Sequence, residues 1–352
     1  MTNSNSIKTN NTTIILRDWC EQQLAASTAE KIVDFQALSG DASFRKYHRL
    51  STDNGTYIAV FAPPETEKNS EFVLIARLLG NAGLRVPEVI AADLQRGFLL
   101  QSDLGDTLLL SQLNEETVDQ WYSCAMQALI SLQQIDPGDN ISHYSTGQMR
   151  EDLERFPEWF AQGLLNHPMS ASERELFDQF CQQLLDQAIV QPQILTHYDY
   201  QSRNLMVCDD NQLGIIDFQD ALLAPISYDL VSLLRDCYVK WPEQQVLGWL
   251  REYASLAHSS GLLPASVNES QFKLWFDYMS LQRHVRVLGT FARLHLRDNK
   301  PGYLNDIPLV CKYVQEVAAE YDSLSDFAHW FEKVLMPKAI ANNWFKPIES
   351  MP

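Results

Sequence analysis

The sequence predicts an α+β chain of two lobes: a small antiparallel sheet lobe, then a larger and mainly helical one. Two observations predict it. Up to about residue 102, short β-rich runs alternate with turn signals. From about residue 110 onward, apolar residues recur at helical spacing, interrupted by one short strand–turn–strand segment. At 352 residues, 45% of them hydrophobic, the chain is long enough for two cores.

Taken in order, residues 1–13 read as a disordered polar tail, because Met1 to Asn11 is rich in Asn, Ser and Thr and has no apolar run. The same composition argues against a secretory signal. The first lobe is set at residues 14–102. It starts with an amphipathic helix at 15–26, then strands at 35–38, 44–50 and 56–61, the last two joined by Asn54-Gly55, a strong hairpin signal. If Asn54 and Gly55 are the two turn residues, Asp53 pairs with Thr56 and His48 with Phe61. A helix at 67–82 has Phe72, Ile75, Ala76 and Leu79 on one face and Gly83 as its stop. Strands at 88–92 and 98–101 complete the sheet. The second lobe, 103–352, predicts helices at 115–134, 148–162, 171–187, 228–239, 242–259, 269–297 and 310–331.

Composition narrows the function classes. A net charge of −18 argues against nucleic acid or an anionic membrane as the main partner. No apolar run approaches the roughly 20 residues that span a bilayer. Six scattered cysteines without a C-x-x-C pair read as free thiols in a reducing compartment, so the chain is expected to be cytoplasmic.

The chemistry is concentrated in His197-Tyr198-Asp199-Tyr200-Gln201-Ser202-Arg203-Asn204, followed by Ile215-Ile216-Asp217-Phe218. Phosphoryl transfer from a metal-bound nucleotide needs one carboxylate at the attacking hydroxyl, and an amide oxygen and second carboxylate on Mg²⁺. Between Asn204 and Asp217, Leu205 to Cys208 and Leu213 to Ile216 read as a hairpin around a polar turn. Such a hairpin brings Asn204 and Asp217 to the same end.

H-x-D-x-x-x-x-N followed by I-D-F resembles the aminoglycoside phosphotransferase family, small-molecule relatives of the protein kinases. It is most similar to the branch of bacterial N-acetylmuramate/N-acetylglucosamine anomeric kinases. Ser39-Gly40-Asp41-Ala42-Ser43, Leu100-Gln101-Ser102-Asp103-Leu104-Gly105, Tyr228-Asp229-Leu230 and Gln282-Arg283-His284-Val285-Arg286 carry the closer likeness. The resemblance implies a protein-kinase-like fold, ATP and Mg²⁺ as cofactors, and an amino sugar phosphorylated at its anomeric hydroxyl. It also implies a place in cell-wall recycling, with a nucleotidylyltransferase as the downstream partner. Asp199 is then the base or hydroxyl-orienting group, and Asn204 and Asp217 the metal ligands. His197 has a structural role in fixing the loop. Asp229 either accepts hydrogen bonds from loop amides or is a plain helix-start carboxylate. Ser39, Gly40 and Ser43 would let backbone amides approach phosphate, and Gln101 and Asp103 would lie in the hinge beside the nucleotide.

The sequence departs from the kinase pattern at one place. Phe61 stands where the third strand of kinases has a phosphate-binding lysine. The predicted register puts Lys46 on the face of Phe61. Lys46 is either the replacement, with Glu71 as its ion-pair candidate, or a solvated strand charge. The absent lysine also leaves a regulatory, non-catalytic nucleotide binder as an alternative, beside kinases of other small alcohols. On the 269–297 helix, Arg283, Arg286, Arg293 and Arg297 fall within a sector of about 80°. This stripe is either paired with carboxylates from other elements or forms a cationic wall for an anionic sugar. In the second case Arg283, Arg286 and Arg293 touch the acceptor.

Overall fold

The computed structural model describes the backbone of residues 2–27, 30–38, 44–209 and 212–346; within the first of these, side chains are described for 12–26. In chain order the elements are α1 (Thr2–Ser27), β1 (Ile32–Ala37), β2 (Lys46–Thr52), β3 (Thr56–Phe61), α2 (Asn69–Asn81), β4 (Val89–Asp93) and β5 (Phe98–Ser102). Then come α3 (Val118–Gln133), α4 (Thr146–Arg155), α5 (Ala171–Ile189), β6 (Gln193–Thr196), β7 (Leu205–Val207), β8 (Leu213–Ile215) and β9 (Leu222–Pro225). The last are α6 (Tyr228–Leu234), α7 (Glu243–Ser259), α8 (Glu269–Leu296), α9 (Ile307–Ala318), α10 (Ser325–Trp330) and α11 (Met336–Ile340). The chain forms two compact units, Met1–Leu108 with Asn204–Ala221, and Leu109–Arg203 with Leu222–Pro352.

The first unit is an antiparallel sheet in the order β1-β2-β3-β5-β4. Strand alternation sorts its side chains. Leu50, Ala59, Phe98 and Leu100 lie on one face and pack on Leu16, Trp19, Cys20 and Leu24 of α1. The backbone of α1 is helical from Thr2, where the sequence predicts a tail, and among its described side chains the first buried one is Leu16. The β2–β3 register differs by two residues from the predicted one: Ser51 pairs with Thr56 and Lys46 with Phe61. Thr52 closes the turn by donating its N–H to Gly55 O at 2.8 Å, which makes Asp53 and Asn54 the two turn residues. A shift of two preserves the faces. Gly97 turns the chain between β4 and β5 with φ of +70°, and a Cβ there would sit 2.0 Å from Ala62 O.

The β7–β8 hairpin, expected within a lobe starting at residue 103, belongs to this first unit. Backbone bonds hold it there: Ile215 N–H donates to Arg85 O, and Val207 N–H to Thr107 O, each at 2.8 Å.

The second unit is helical apart from the β6–β9 pair. Capping boxes start two of its helices, Ser145 with Gln148 at α4 and Ser170 with Glu173 at α5. Asn268 caps α8 by accepting the Gln271 N–H at 2.9 Å. At 28 residues α8 is about 42 Å long, and it is the core of the unit. Its Leu281, Val285, Leu288 and Ala292 pack with Phe156, Phe177, Val310 and Phe331. α6 stops at Leu234, short of the predicted 239, because Arg235 and Asp236 leave the helix for buried partners. Arg235 Nη1 meets Asp277 Oδ1 at 2.8 Å, and Ser202 N–H donates to Asp236. The helix predicted at 310–331 is broken at Tyr321, whose hydroxyl donates to Asp277 Oδ2 at 2.5 Å.

Gly289 is where α8 crosses the end of α4: a Cβ there would lie 2.4 Å from the Arg155 carbonyl carbon. The obstacle is backbone, which has no rotamer to change. Gly289→Ala should therefore destabilise the protein by about 1–3 kcal/mol, read as a lowered denaturation midpoint with an unchanged slope.

Candidate active site

In the second unit, the loop after β6 carries Asp199, and buried groups fix it from several sides. Asp229, in the first turn of α6 and fully buried, accepts the N–H of His197 at 2.6 Å and of Tyr198 at 3.0 Å. Burial pushes the Asp229 carboxyl up to about 6, against the pull of His197 and the two amides. The amide-accepting reading of Asp229 is thus the one the geometry fits. Asp236, also buried, accepts Ser202 N–H at 2.9 Å and Ser202 Oγ–H at 2.5 Å. Sequence reasoning gave Asp236 no role. The available signal was its spacing: Asp229 and Asp236 are seven residues apart, close to two helical turns.

His197 is buried; its Nδ1 accepts the Asp199 N–H at 3.3 Å, a contact that holds the loop. Tyr198 has φ of +75°, a left-handed conformation uncommon for a residue with a large side chain. Its ring stacks on Tyr228 with centroids 5.3 Å apart, and its hydroxyl donates to Asp152 Oδ2 at 2.7 Å.

The Asp199 carboxylate takes part in a closed ring of hydrogen bonds. Oδ1 accepts from Arg283 Nη2 at 2.9 Å, and Oδ2 accepts from Gln201 Nε2 at 3.1 Å. Gln201 Oε1 in turn accepts from Arg283 Nη2 at 3.2 Å. Arg283 is 1% exposed while Asp199 remains 38% exposed, so the guanidinium is buried and the carboxylate open. Arg283 Nη1 also donates to Cys237 Sγ, whose thiol burial pushes up to about 11.

This corrects the reading of the α8 stripe as one continuous wall. Arg283 is a buried partner of Asp199. Arg286 lies over the Tyr198 ring, 4.5 Å from its centroid, and 3.7 Å from Asp152. Arg293 lies further along α8; burial and the neighbouring Arg155 and Arg297 guanidiniums pull it below the ordinary arginine range. Arg297 pairs with Asp298 at 2.7 Å.

In the first unit, the hairpin sets the candidate metal ligands. Leu205 pairs with Ile215, and Ile216 N–H donates to Asn204 O at 3.0 Å, so Asn204 and Asp217 are at the same end. Asp217 has φ of +64°, and Gln219 Nε2 donates to its Oδ1 at 2.8 Å. Phe218 is fully buried and stacks on Phe72 of α2 with centroids 4.8 Å apart. Asp220 pairs with Lys68 at 2.7 Å. Among the described residues no three His, Cys, Asp or Glu side chains converge as a metal cage. One carboxylate and one amide oxygen suit Mg²⁺, which takes few protein ligands when phosphates and water supply the rest.

The nucleotide-side expectations fare unevenly. Ser39, Gly40 and Ser43 lie outside the described residues. Gln101 is buried on β5, opposite Ile58. Asp103 is gripped by Arg49, Nε at 2.6 Å and Nη2 at 3.0 Å, and accepts Gly105 N–H, so its carboxylate shapes the turn after β5. Lys46 is exposed and directly opposite Phe61, but that face packs on α1. Asp217 helps to hold the Tyr47 phenol above its ordinary range, after burial and against Arg45, and Tyr47 is on the other face. Lys46 is therefore ill-placed to stand in for the missing lysine. Its suggested partner Glu71 instead accepts from Ser70 Oγ at 2.9 Å. Arg45, which shares the face of Tyr47, pairs with Glu67 at 2.8 Å and lies 5.0 Å over the Phe72 ring.

Two outcomes are expected. Asp229 holds its proton more tightly folded than unfolded, so its contribution to stability is full below pH 4 and lost as pH rises through 6. The stability advantage of the wild type over Asp229→Asn should shrink over that range by up to about 3 kcal/mol, measured by denaturant unfolding at several pH values. Arg283→Met should lower kcat by about 100-fold with far smaller changes in KM, because it frees the Asp199 carboxylate to rotate; initial rates on the folded variant decide this.

The chain matches a family profile described as "Phosphotransferase enzyme family" over residues 34–264. It is 37% identical over 290 residues to a Pseudomonas putida protein named N-acetylmuramate/N-acetylglucosamine kinase, covering 82% of this chain and 85% of that one. A Neisseria meningitidis protein of the same name is 33% identical over 317 residues, covering 89% and 92%. Among solved structures, the streptomycin–ATP–APH(2")-IIa ternary complex superposes with a TM-score of 0.55 at 14% identity, covering 87% of this chain and 96% of that one. That last likeness supports the two-lobed fold of small sheet and helical lobe. On the extent of these matches, the chain belongs to the phosphotransferase enzyme family.

Proposed function

We propose that this chain is an amino-sugar kinase, transferring the γ-phosphoryl group of ATP to the anomeric hydroxyl of N-acetylmuramate or N-acetylglucosamine. The likeness to the Pseudomonas and Neisseria kinases, extending over most of each chain, carries the reading. The retained Asp199, Asn204 and Asp217 favour a working enzyme over a regulatory nucleotide binder.

In the reaction, the acceptor oxygen forms a bond to the γ-phosphorus as that phosphorus loses its bond to the β–γ bridging oxygen. ADP leaves with the electron pair, and Asp199 takes the acceptor proton. Held by Arg283 and Gln201, Asp199 presents its carboxylate in one orientation, which supports a positioning contribution to the rate. An anomeric hydroxyl is more acidic than an ordinary alcohol, so a carboxylate is a sufficient base for it. Mg²⁺, when bound, would neutralise phosphate charge; Asn204 and Asp217 are its proposed protein ligands. His197 and Asp229 are proposed to hold the loop, and backbone groups near Gln101 to meet the nucleobase. Among the described residues no helix is long and apolar enough to cross a membrane, and we place the enzyme in the cytoplasm, in cell-wall recycling, ahead of a nucleotidylyltransferase.

Phosphorus NMR of the product formed from ATP and N-acetylmuramate should show a sugar 1-phosphate, coupled to the anomeric proton. Asp199→Asn should reduce its formation by about 10²–10⁴-fold. A product phosphorylated at any other hydroxyl would sink the anomeric assignment.

A further inference from the structure

α8 presents positive charge in a chain whose net charge is −18. Arg283 spends both terminal nitrogens on Asp199, Gln201 and Cys237, with only Nε left unmet. Arg286, one turn further, is less fully met. Its side chain is 11% exposed, and its nearest acid is Asp152, at 3.7 Å, too long for a hydrogen bond. Its Nε and Nη1 are buried without a hydrogen-bond partner. Such donors cost free energy until an acceptor reaches the group.

Asp152 is already occupied. Its Oδ2 accepts from Tyr144 Oη at 2.5 Å and from Tyr198 Oη at 2.7 Å, and its Oδ1 faces Arg155 Nη2 at 2.6 Å. Arg155 stands three residues on from Asp152 in α4, which puts a second guanidinium on the same carboxylate. Arg155 and Arg286 thus share one acid, itself bound by two phenols. Arg293 adds uncompensated charge beyond them, while Asp298 is taken by Arg297. Arg155 and Arg286, with Asp152 between them, are one anion short.

Distance along α8 decides which arginine serves an acceptor lying against Asp199. Arg286 is about 4.5 Å along the axis from Arg283, within the span of one sugar ring, whereas Arg293 is about 15 Å along. Arg286 also covers the ring of Tyr198, the residue immediately before Asp199.

We propose that Arg286 and Arg155 form a carboxylate subsite for the acceptor, filled by the lactyl carboxylate that N-acetylmuramate has and N-acetylglucosamine lacks. The inference rests on the amino-sugar kinase reading. The subsite sets preference between the two sugars, and the neutral sugar is turned over with it empty.

The test uses the full-length protein and initial rates with both sugars and with the methyl ester of N-acetylmuramate. In Arg286→Met and Arg155→Met, the ratio of kcat/KM for N-acetylmuramate to that for N-acetylglucosamine should fall by about 10- to 100-fold. The methyl ester should behave as the neutral sugar does in the wild type. Should Arg286→Met fail to fold, Arg155, whose side chain is 30% exposed, decides. A ratio within about threefold of wild type in the folded variants would overturn the subsite and leave the kinase reading standing. Wild-type protein that turns over neither sugar would overturn the kinase reading, and the subsite with it.

Discussion

Asp229 binds two consecutive backbone amides, His197 and Tyr198, from a position with no access to water. Much of the second unit follows from that contact. A carboxylate buried this deeply stays only if its oxygens are satisfied, and here the loop amides satisfy them. The loop depends equally on the carboxylate, since its own N–H groups would otherwise be buried without acceptors. Asp236 repeats the arrangement at Ser202. The short α6, with every one of its residues buried, carries Asp229 in its first turn and brings Asp236 just past its end. Asp199 is thereby held between two anchored points of the backbone. Only its side-chain rotation remains to be fixed, and Arg283 and Gln201 fix it.

Two residues with left-handed backbone show where this anchoring is spent. Four described non-glycine residues have positive φ, and two of them, Asn166 and Asn299, are asparagines that tolerate it. The other two are Tyr198 and Asp217. Each conformation costs on the order of 1–3 kcal/mol and persists only where the surroundings impose it. For Tyr198 they are Asp229 on its N–H, Asp152 on its hydroxyl and Tyr228 under its ring. For Asp217 they are the hairpin bond at Asn204 O and the burial of Phe218 against Phe72. Both strained residues belong to the two motifs that carry the proposed chemistry, in separate units.

The legible part of this molecule was local. Asn54-Gly55 gave the hairpin, though with a register two residues off. The motif spacing gave the β7–β8 hairpin that brings Asn204 and Asp217 to one end. Helical periodicity found α8 within one residue of its observed end. What failed depended on partners distant in sequence. The arginine stripe was correctly drawn on one face of α8, but the sequence could not show that Asp199 and Asp152 would be folded against it, 84 and 134 residues away. Lys46 was placed on the face of Phe61, but the sequence could not show that α1 packs on that face while Asp217 neighbours Tyr47 on the other. The ends of α6 and α9 were misjudged for a similar reason. Arg235 and Tyr321 both leave their helical runs to reach Asp277, a buried acid on a third helix.

Asp277 and Asp152 illustrate how an acidic protein can use a few buried carboxylates to distribute its cations. Asp277, fully buried, collects Arg235, Lys273 and the Tyr321 hydroxyl, so its charge is more than matched. Of the Arg235 guanidinium, Nε alone is left buried without a hydrogen bond. Asp152 collects Arg155 and two phenols, with Arg286 left at a distance that is neither a hydrogen bond nor a separation. Asp277 meets both of its cations at hydrogen-bond distance, whereas Asp152 meets only one of its two arginines so. Arg286 keeps two buried nitrogens without a partner against one on Arg235, and each costs free energy while it stays unmet. The Arg286 shortfall falls on the cluster that shares Tyr198 with the loop of Asp199, which is where the proposed acceptor carboxylate would have its charge matched.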